Sequence, residues 1–428
     1  MKTVVMAGGN GTRISPVAND IPKPMIKVAG IPVLEHTLKC LRTQGFTDVI
    51  ITVGYLSQII VDYFGDGSGV SPVTGEPFGV HIEYFVEETP LGNAGALFRM
   101  KEKLSDDFLL LSADIVFDVD FNRMVSFHKS KRALATLFTH PNSHPYDSGL
   151  IIADTNNAVT DWIAKEEEHP EFYKNRVNAG LHIINRTILE TDIQTKKIDL
   201  DRQLLKPLAG TGKMFAYDSP EYVKDMGTPE RYETVCSDFI NGMVEAKSLR
   251  NKQKAIFIDR DGTINRYIGF LRSPAEFELL PDVVEAIRKI NNSGYMAIVI
   301  TNQPVVARGE VTIDQLQKIH NKMETLLGVG GAYLDAVYYC PHHPDKGFEG
   351  EVPELKIQCD CRKPKPGMIL QAADKYNLDL ENSWMIGDSC SDIEAGKAAG
   401  CKTALIGTSD SQSISVSSLI DFVEKYLR

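Results

Sequence analysis

The chain has 428 residues, 43% of them apolar, and a formal net charge of −11. That length exceeds one typical core, so two domains, or three, are expected; the negative charge argues against nucleic-acid and anionic-membrane partners, and no apolar run reaches bilayer length. The start, Met1-Lys2-Thr3-Val4-Val5-Met6-Ala7, lacks the long apolar stretch and cleavage site of a secretory signal; the clustering of cysteines described below makes the cytoplasm the expected compartment.

Taken in chain order, the first half alternates short apolar runs with helical patterns. Thr3–Ala7, Asp48–Val53, His81–Val86 and Phe108–Ser112 read as strands, and Val33–Thr43 and Gly92–Lys103 as helices. Such alternation predicts a mostly parallel sheet covered on both faces. Ser237–Lys254 becomes polar and charged and reads as a helix end plus linker. A second α/β pattern follows, with strands at Ala255–Ile258, Ala297–Ile300 and Trp384–Ile386 and helices at Pro281–Asn291 and Ile313–Leu327. The expected domains are therefore 1–236 and 254–428, joined by 237–253. No internal repeat and no low-complexity tract is visible.

The first strand runs into Gly8-Gly9-Asn10-Gly11-Thr12-Arg13, with Pro22-Lys23-Pro24-Met25 soon after. Glycines let backbone N–H groups approach phosphate oxygens. Arg13 and Lys23 add positive charge, and the flanking prolines hold Lys23 extended. A glycine-rich turn alone is also what any tight loop looks like; the cations beside this one point to a phosphate.

With Pro90-Leu91-Gly92-Asn93-Ala94-Gly95, Asp114 after a strand, Asn178-Ala179-Gly180 and Asp225-Met226-Gly227-Thr228-Pro229, residues 1–236 resemble the sugar-1-phosphate nucleotidyltransferases. The resemblance implies a Rossmann-like domain with a mixed, mostly parallel sheet. It implies that a sugar-phosphate oxygen attacks the α-phosphorus of a nucleoside triphosphate, a reaction of positioning and charge neutralisation. By it, Ala7, Gly8, Gly9, Gly11, Thr12 and Gly92 cradle the nucleotide, and Arg13 and Lys23 grip the triphosphate. Asp114 and Asp225 hold Mg²⁺, while Lys165, Asn178 and Gly180 meet the sugar phosphate. Ala164 stands where relatives often have Glu against sugar hydroxyls, which leaves the sugar open. Glu87 stands where relatives often carry Gln against the base. A carboxylate there accepts from guanine N1–H and the 2-amino group and favours GTP; the alternative is a solvated acid beside Glu88.

In the second half, the strand ending at Ile258 delivers Asp259, with Asp261 two residues on. Together with Gly262-Thr263, Thr301-Asn302-Gln303, Lys363 and Gly387-Asp388-Ser389, this resembles the haloacid-dehalogenase (HAD)-type phosphatases. The resemblance implies a doubly wound parallel sheet. It makes Asp259 the nucleophile, Asp261 the acid/base, and Thr301 and Lys363 the phosphoryl contacts. It assigns Mg²⁺ to Asp259, Asp261 and Asp388. Asp392 either supports that metal or caps its own helix.

Of seven cysteines, Cys340, Cys359 and Cys361 crowd beside His342. Three thiols and an imidazole in close-spaced pairs form a tetrahedral zinc set, closed and hence structural; His343 is the competing ligand. Clustering of this kind points to a reducing compartment and not to disulfides. This zinc loop with Cys361-Arg362-Lys363-Pro364 resembles the heptose-1,7-bisphosphate and histidinol-phosphate phosphatases, in which Arg308 and Arg362 shape substrate choice. The chain reads Pro304-Val305-Val306 where relatives usually have Ser-Gly-Ile.

Together the resemblances imply a bifunctional enzyme that makes a heptose 1-phosphate from its bisphosphate and then activates it with a nucleotide. The alternatives are the same pair of steps on another sugar with another nucleotide, or a phosphatase half of the histidinol-phosphate kind. Sugar phosphates and nucleoside triphosphates are the expected partners, with no nucleic acid and no membrane; homo-oligomerisation stays open.

Overall fold

The computed structural model describes residues 1–8, 21–54, 56–191, 197–408 and 414–427. The chain forms two compact units. The first comprises Met1–His140, Ile151–Ile163 and Asn178–Ser248; the second comprises Pro141–Leu150, Ala164–Val177 and Leu249–Arg428. Two stretches from within the first half of the chain thus fold with the second unit.

The first unit is built on a nine-stranded sheet. Lys2–Met6 lies at its centre, parallel to Asp48–Val53 on one side and to Asp107–Ser112 on the other. His81–Val86 extends the parallel run beyond Asp48–Val53, while Val177–Asn185 enters antiparallel against Asp107–Ser112. The sheet is therefore mixed and mostly parallel. The inner residues of its central strands are buried and mostly apolar, as a sheet covered on both faces requires. Residues that follow parallel strands gather at one carboxyl edge, where open α/β sheets hold ligands. Gly8, Gly54, Glu87 and Asp114 all do so here. A small antiparallel pair, Ile115–Phe117 with Val223–Asp225, sets Asp225 opposite Ile115, the residue that follows Asp114.

The second unit holds a six-stranded sheet in the order Ala336–Cys340, Tyr295–Asn302, Lys254–Ile258, Trp384–Gly387, Lys402–Ile406, Ile414–Val416, every pair parallel. Asp259, Thr301, Cys340 and Asp388 all stand at the carboxyl ends of these strands.

Two expected helices start late. Gly92 has a φ of +79° and Ala94 N–H donates to the Ile198 carbonyl at 3.1 Å, so the helix occupies only Gly95–Arg99, with a 3₁₀ turn at Lys101–Lys103. Asp282, at φ +62°, breaks the backbone before Val283–Asn291. The polar stretch after residue 236 is helical in part, with Pro229–Ile240 followed by Met243–Ala246. Among the described residues no helix is long and apolar enough to cross a membrane.

Candidate functional site

In the first unit, Gly9, Gly11, Thr12 and Arg13 lie outside the described residues. Ala7 and Gly8 lie within them. Ala7 N–H donates to the Thr52 carbonyl at 3.0 Å, which ties the strand end to its neighbour. A side chain at Gly8 would meet Glu87 Oε1 at 2.8 Å, so glycine lets the Glu87 carboxylate come this close to the backbone. Glu87 in turn accepts from Leu91 N–H at 3.2 Å. Gly8, Glu87 and Leu91 are therefore neighbours in one patch.

Lys23 Nζ lies 3.1 Å from Asp114 Oδ2, and Ser112 Oγ donates to Asp114 Oδ1 at 2.8 Å. Arg231 Nη1 reaches both oxygens of Asp225, at 2.9 and 2.8 Å. Each expected metal-binding aspartate is thus charge-compensated by a cation. Asn178 Oδ1 accepts from Gly180 N–H at 3.2 Å, with Gly180 at φ +74°. In the second unit, Lys165 pairs with Asp147 at 2.5 Å and is more than half exposed.

The second unit's carboxylate site is tighter. Lys363 Nζ lies 2.6 Å from Asp259 Oδ1 and 2.6 Å from Asp392 Oδ1, and it donates to the Ile300 carbonyl at 2.8 Å. All three side chains are buried or nearly so. Asn302 accepts from Lys363 N–H at 3.0 Å and donates to its carbonyl at 3.1 Å, which sets the lysine's backbone. Burial pushes the Asp259 carboxyl up to about 7, against the pull of Lys363. Burial also opposes the charge on Lys363, yet the two carboxylates hold its pKa above the usual value. The lysine's direction is the one that two carboxylates facing one ammonium require; the second carboxylate is left over.

Carboxylate oxygens of Asp259, Asp388 and Asp392 lie within 4.8 Å of one another. Three carboxylates against one ammonium leave an excess of two negative charges, which a divalent cation would balance. The oxygen-only donor set suits Mg²⁺. Gly262, at φ +82°, has no room for a side chain because Asp388 Oδ2 occupies that place. Gly387 likewise leaves room for the Asp392 carboxylate.

Asp261 is engaged elsewhere. Arg260 Nη2 bonds both its oxygens at 2.9 and 2.8 Å, Gln303 Nε2 donates at 2.8 Å and Asn265 Nδ2 at 3.1 Å. Gln303 Nε2 also reaches Thr301 Oγ1 at 2.8 Å.

The cysteine cluster comes together as expected. The Sγ atoms of Cys340, Cys359 and Cys361 are 3.2–3.5 Å apart, and His342 Nδ1 is 3.3 Å from Cys361 and 3.7 Å from Cys340. Thiolates about 2.3 Å from one tetrahedral ion would be about 3.8 Å apart, so the set fits zinc with a small expansion. His343 turns away; its Nδ1 accepts from Asp345 N–H at 3.2 Å. Arg362 Nη1 donates to the His342 carbonyl at 3.3 Å, and Arg308 is stacked between Phe270 and Phe348, at 4.2 and 4.5 Å from the ring centroids.

Sequence reasoning missed Arg260, Asn302 and Gln303 as organisers of this site. Arg260 is fully buried, and a buried arginine between two aspartates is a signal in itself, because an unpaired buried charge is costly. Asp392 does cap its own helix, and its second oxygen is turned to Lys363. Oδ1 faces Lys363, while Oδ2 accepts from Ser389 N–H and Oγ at 3.1 and 2.7 Å in a capping box.

Comparison with known proteins gives a family to each half of the sequence. The pattern of the Nucleotidyl transferase family matches residues 2–241, and that of the HAD-hydrolase-like family matches residues 360–421. A mannose-1-phosphate guanylyltransferase of Mycobacterium tuberculosis is 31% identical over 250 residues, covering 58% of this chain and 67% of that protein. A D-glycero-beta-D-manno-heptose-1,7-bisphosphate 7-phosphatase of Salmonella typhi is 40% identical over 152 residues, covering 36% of this chain and 79% of that protein. Among solved structures, a D,D-heptose 1.7-bisphosphate phosphatase from B. bronchiseptica aligns at 33% identity with a TM-score of 0.36, covering 41% of this chain and 98% of that one. The chain belongs to the nucleotidyl transferase family and joins to it a HAD-type phosphatase domain, so that one polypeptide is both a transferase and a phosphatase.

Proposed function

We propose that the chain removes the C7 phosphate of D-glycero-D-manno-heptose 1,7-bisphosphate and then loads the resulting heptose 1-phosphate with a nucleotide, with GTP as the favoured donor. The observation that carries this reading is the pairing itself. A relative of the second half is a 1,7-bisphosphate 7-phosphatase, and a relative of the first is a sugar-1-phosphate guanylyltransferase. The first reaction makes the class of substrate that the second consumes.

In the phosphatase step, an Asp259 oxygen attacks the C7 phosphorus and the sugar oxygen leaves, protonated by Asp261. Asp261 then takes a proton from water, which attacks the aspartyl-phosphate and releases inorganic phosphate. Lys363 offsets the charge on Asp259, and Thr301 hydrogen-bonds the phosphoryl oxygens. Asp259 and Asp388 would hold Mg²⁺, with Asp392 beside them. In the transfer step, an oxygen of the sugar 1-phosphate attacks the α-phosphorus of the nucleotide and pyrophosphate leaves. Arg13 and Lys23 hold the triphosphate, Lys165 the sugar phosphate, and Asp114 and Asp225 would hold Mg²⁺. Bound Mg²⁺ neutralises phosphate charge so that an anionic nucleophile can approach. Cys340, His342, Cys359 and Cys361 would hold a structural zinc. The packing of Glu87 against Gly8 supports its reading as a base contact.

The test is paired. Phosphate release is measured on a panel of sugar bisphosphates and histidinol phosphate, and pyrophosphate release on four nucleotides with heptose 1-phosphate and mannose 1-phosphate. Phosphate release from the heptose bisphosphate, with GTP consumed on the heptose 1-phosphate, is expected. Release from histidinol phosphate alone, or GTP use with mannose 1-phosphate alone, would overturn the heptose assignment.

A further inference from the structure

In the loop 90–95 of the first unit, Gly92 and Asn93 are exposed, while Leu91 and Ala94 on either side are buried. The loop therefore turns one face outward and is fastened by its flanks. The fastening comes from residues 198–200 of the same unit. Ile198 N–H donates to the Leu91 carbonyl at 2.9 Å, and the Ile198 carbonyl accepts from Ala94 N–H at 3.1 Å. Asn93 Oδ1 accepts from Leu200 N–H at 2.7 Å, across 107 residues of chain. An asparagine just before a helix commonly caps it. Here Ala94 stands at the cap of Gly95–Arg99 with no side-chain bond, and Asn93 reaches the distant segment instead. A side chain at Gly92 would run into the Ile198 backbone, so the two segments are in direct contact.

The distant segment is itself fixed. Asp199 N–H donates to Gln203 Oε1 at 2.7 Å, and the Asp199 side chain accepts from Arg202 N–H at 2.8 Å, which closes the start of the short helix Leu200–Leu205. Leu200, Leu204 and Leu205 are buried in the same core as Leu91, Ala94 and Leu97. Leu91 joins this support to the patch described above: its N–H is held by Glu87, which packs against Gly8, and its carbonyl by Ile198. Without the Asn93 side chain, Leu200 N–H loses its partner and the loop gains freedom. Binding must then remove that freedom, which weakens the affinity for whatever the loop holds.

We propose that Asn93 and Gln203 are positioning residues for nucleotidyl transfer, which set the affinity for the nucleotide by holding Leu91 and Gly92 in place. The inference rests on the reading that Gly92 meets the nucleotide.

The test compares the full chain with Asn93→Ala, Gln203→Ala and the double variant. Pyrophosphate release is followed with whichever of four nucleoside triphosphates, and whichever of heptose 1-phosphate or mannose 1-phosphate, the wild type turns over. Phosphate release and amide hydrogen exchange are measured alongside. The expected result is a nucleotide KM raised roughly tenfold in Asn93→Ala and roughly threefold in Gln203→Ala, with kcat, the sugar-phosphate KM and phosphate release within about twofold of wild type. The double variant should show less than the product of the two effects, because both act through one segment. Exchange of the Ala94 and Leu200 amides should quicken. Gln203→Ala is the sharper arm, since it changes nothing in the loop itself. An active wild type whose variants leave the nucleotide KM unmoved, whatever the exchange, overturns this inference alone. So does a parallel loss of kcat, both affinities and thermal midpoint, which marks a general loss of folding. A rise confined to the sugar-phosphate KM, or a wild type that releases no pyrophosphate with any nucleotide, overturns the reading of Gly92 and this inference with it.

Discussion

Lys363 and Asp392 form a buried ion pair at 2.6 Å, in which the carboxylate that caps a helix also steadies the cation beside Asp259. Removing one member of a buried pair leaves an uncompensated charge and costs about 3–5 kcal/mol. Lys363→Met should therefore cut phosphate release by roughly a hundredfold or more and lower the thermal midpoint of the phosphatase unit. Asp392→Asn keeps the cap oxygen and should cost less on both counts. Asp259→Asn should abolish phosphate release while pyrophosphate release persists. Loss of both activities in a folded Asp259→Asn protein would contradict the separation of the two sites.

Glu87 offers a test of base choice. If its carboxylate accepts from two guanine donors, Glu87→Gln removes a charged acceptor worth about 1.5–3 kcal/mol. The ratio of kcat/KM for GTP over ATP should fall by roughly tenfold or more. An unchanged ratio would return Glu87 to the role of spacer against Gly8 and cap of Leu91 N–H.

The cysteine cluster predicts a metal-dependent fold. Burial pushes the Cys340 and Cys361 thiols up, while at Cys359 burial is outweighed by hydrogen bonds from Cys361 and Cys340 that pull the thiol down. Purified protein should carry about one zinc per chain by elemental analysis. Cys361→Ser should lose that zinc and loosen the loop that leads into Arg362 and Lys363, raising the KM for phosphate release. Full zinc occupancy in Cys361→Ser would refute the ligand set.

His182 predicts an acid-sensitive first unit. It lies in the Val177–Asn185 strand at 1% exposure, and neither ring nitrogen has a hydrogen-bond partner among the described residues. Burial drives its pKa down to about 3. Between that value and the ordinary value near 6.5, only the unfolded chain binds the proton. Stability should thus be whole above about pH 6.5 and fall by on the order of 1 kcal/mol per pH unit below it. Denaturant titrations at stepped pH should show a shallower slope for His182→Leu; an identical slope would exclude this histidine as the cause.

Local order was legible where the code is local. Short, mostly apolar runs marked the central strands, and the positions of Gly8 and Asp259 just past strand ends could be read directly, because open α/β sheets hold ligands there. The clustering of Cys340, His342, Cys359 and Cys361 needed only spacing and donor type. What the sequence could not reveal were pairings between residues far apart in the chain. The meeting of Lys363 with Asp392, the space beside Gly8 that Glu87 fills, and the clamp of Arg260 and Gln303 on Asp261 depend on strand order and register. The Lys165 segment is the clearest case. Read locally, Glu166-Glu167-Glu168-His169 and the polar residues after it describe a solvated loop. Only the tertiary fold buries Asn175 and Arg176 and supplies Glu324 as their partner, because a buried charge takes its place from whatever opposite charge the packing brings within reach.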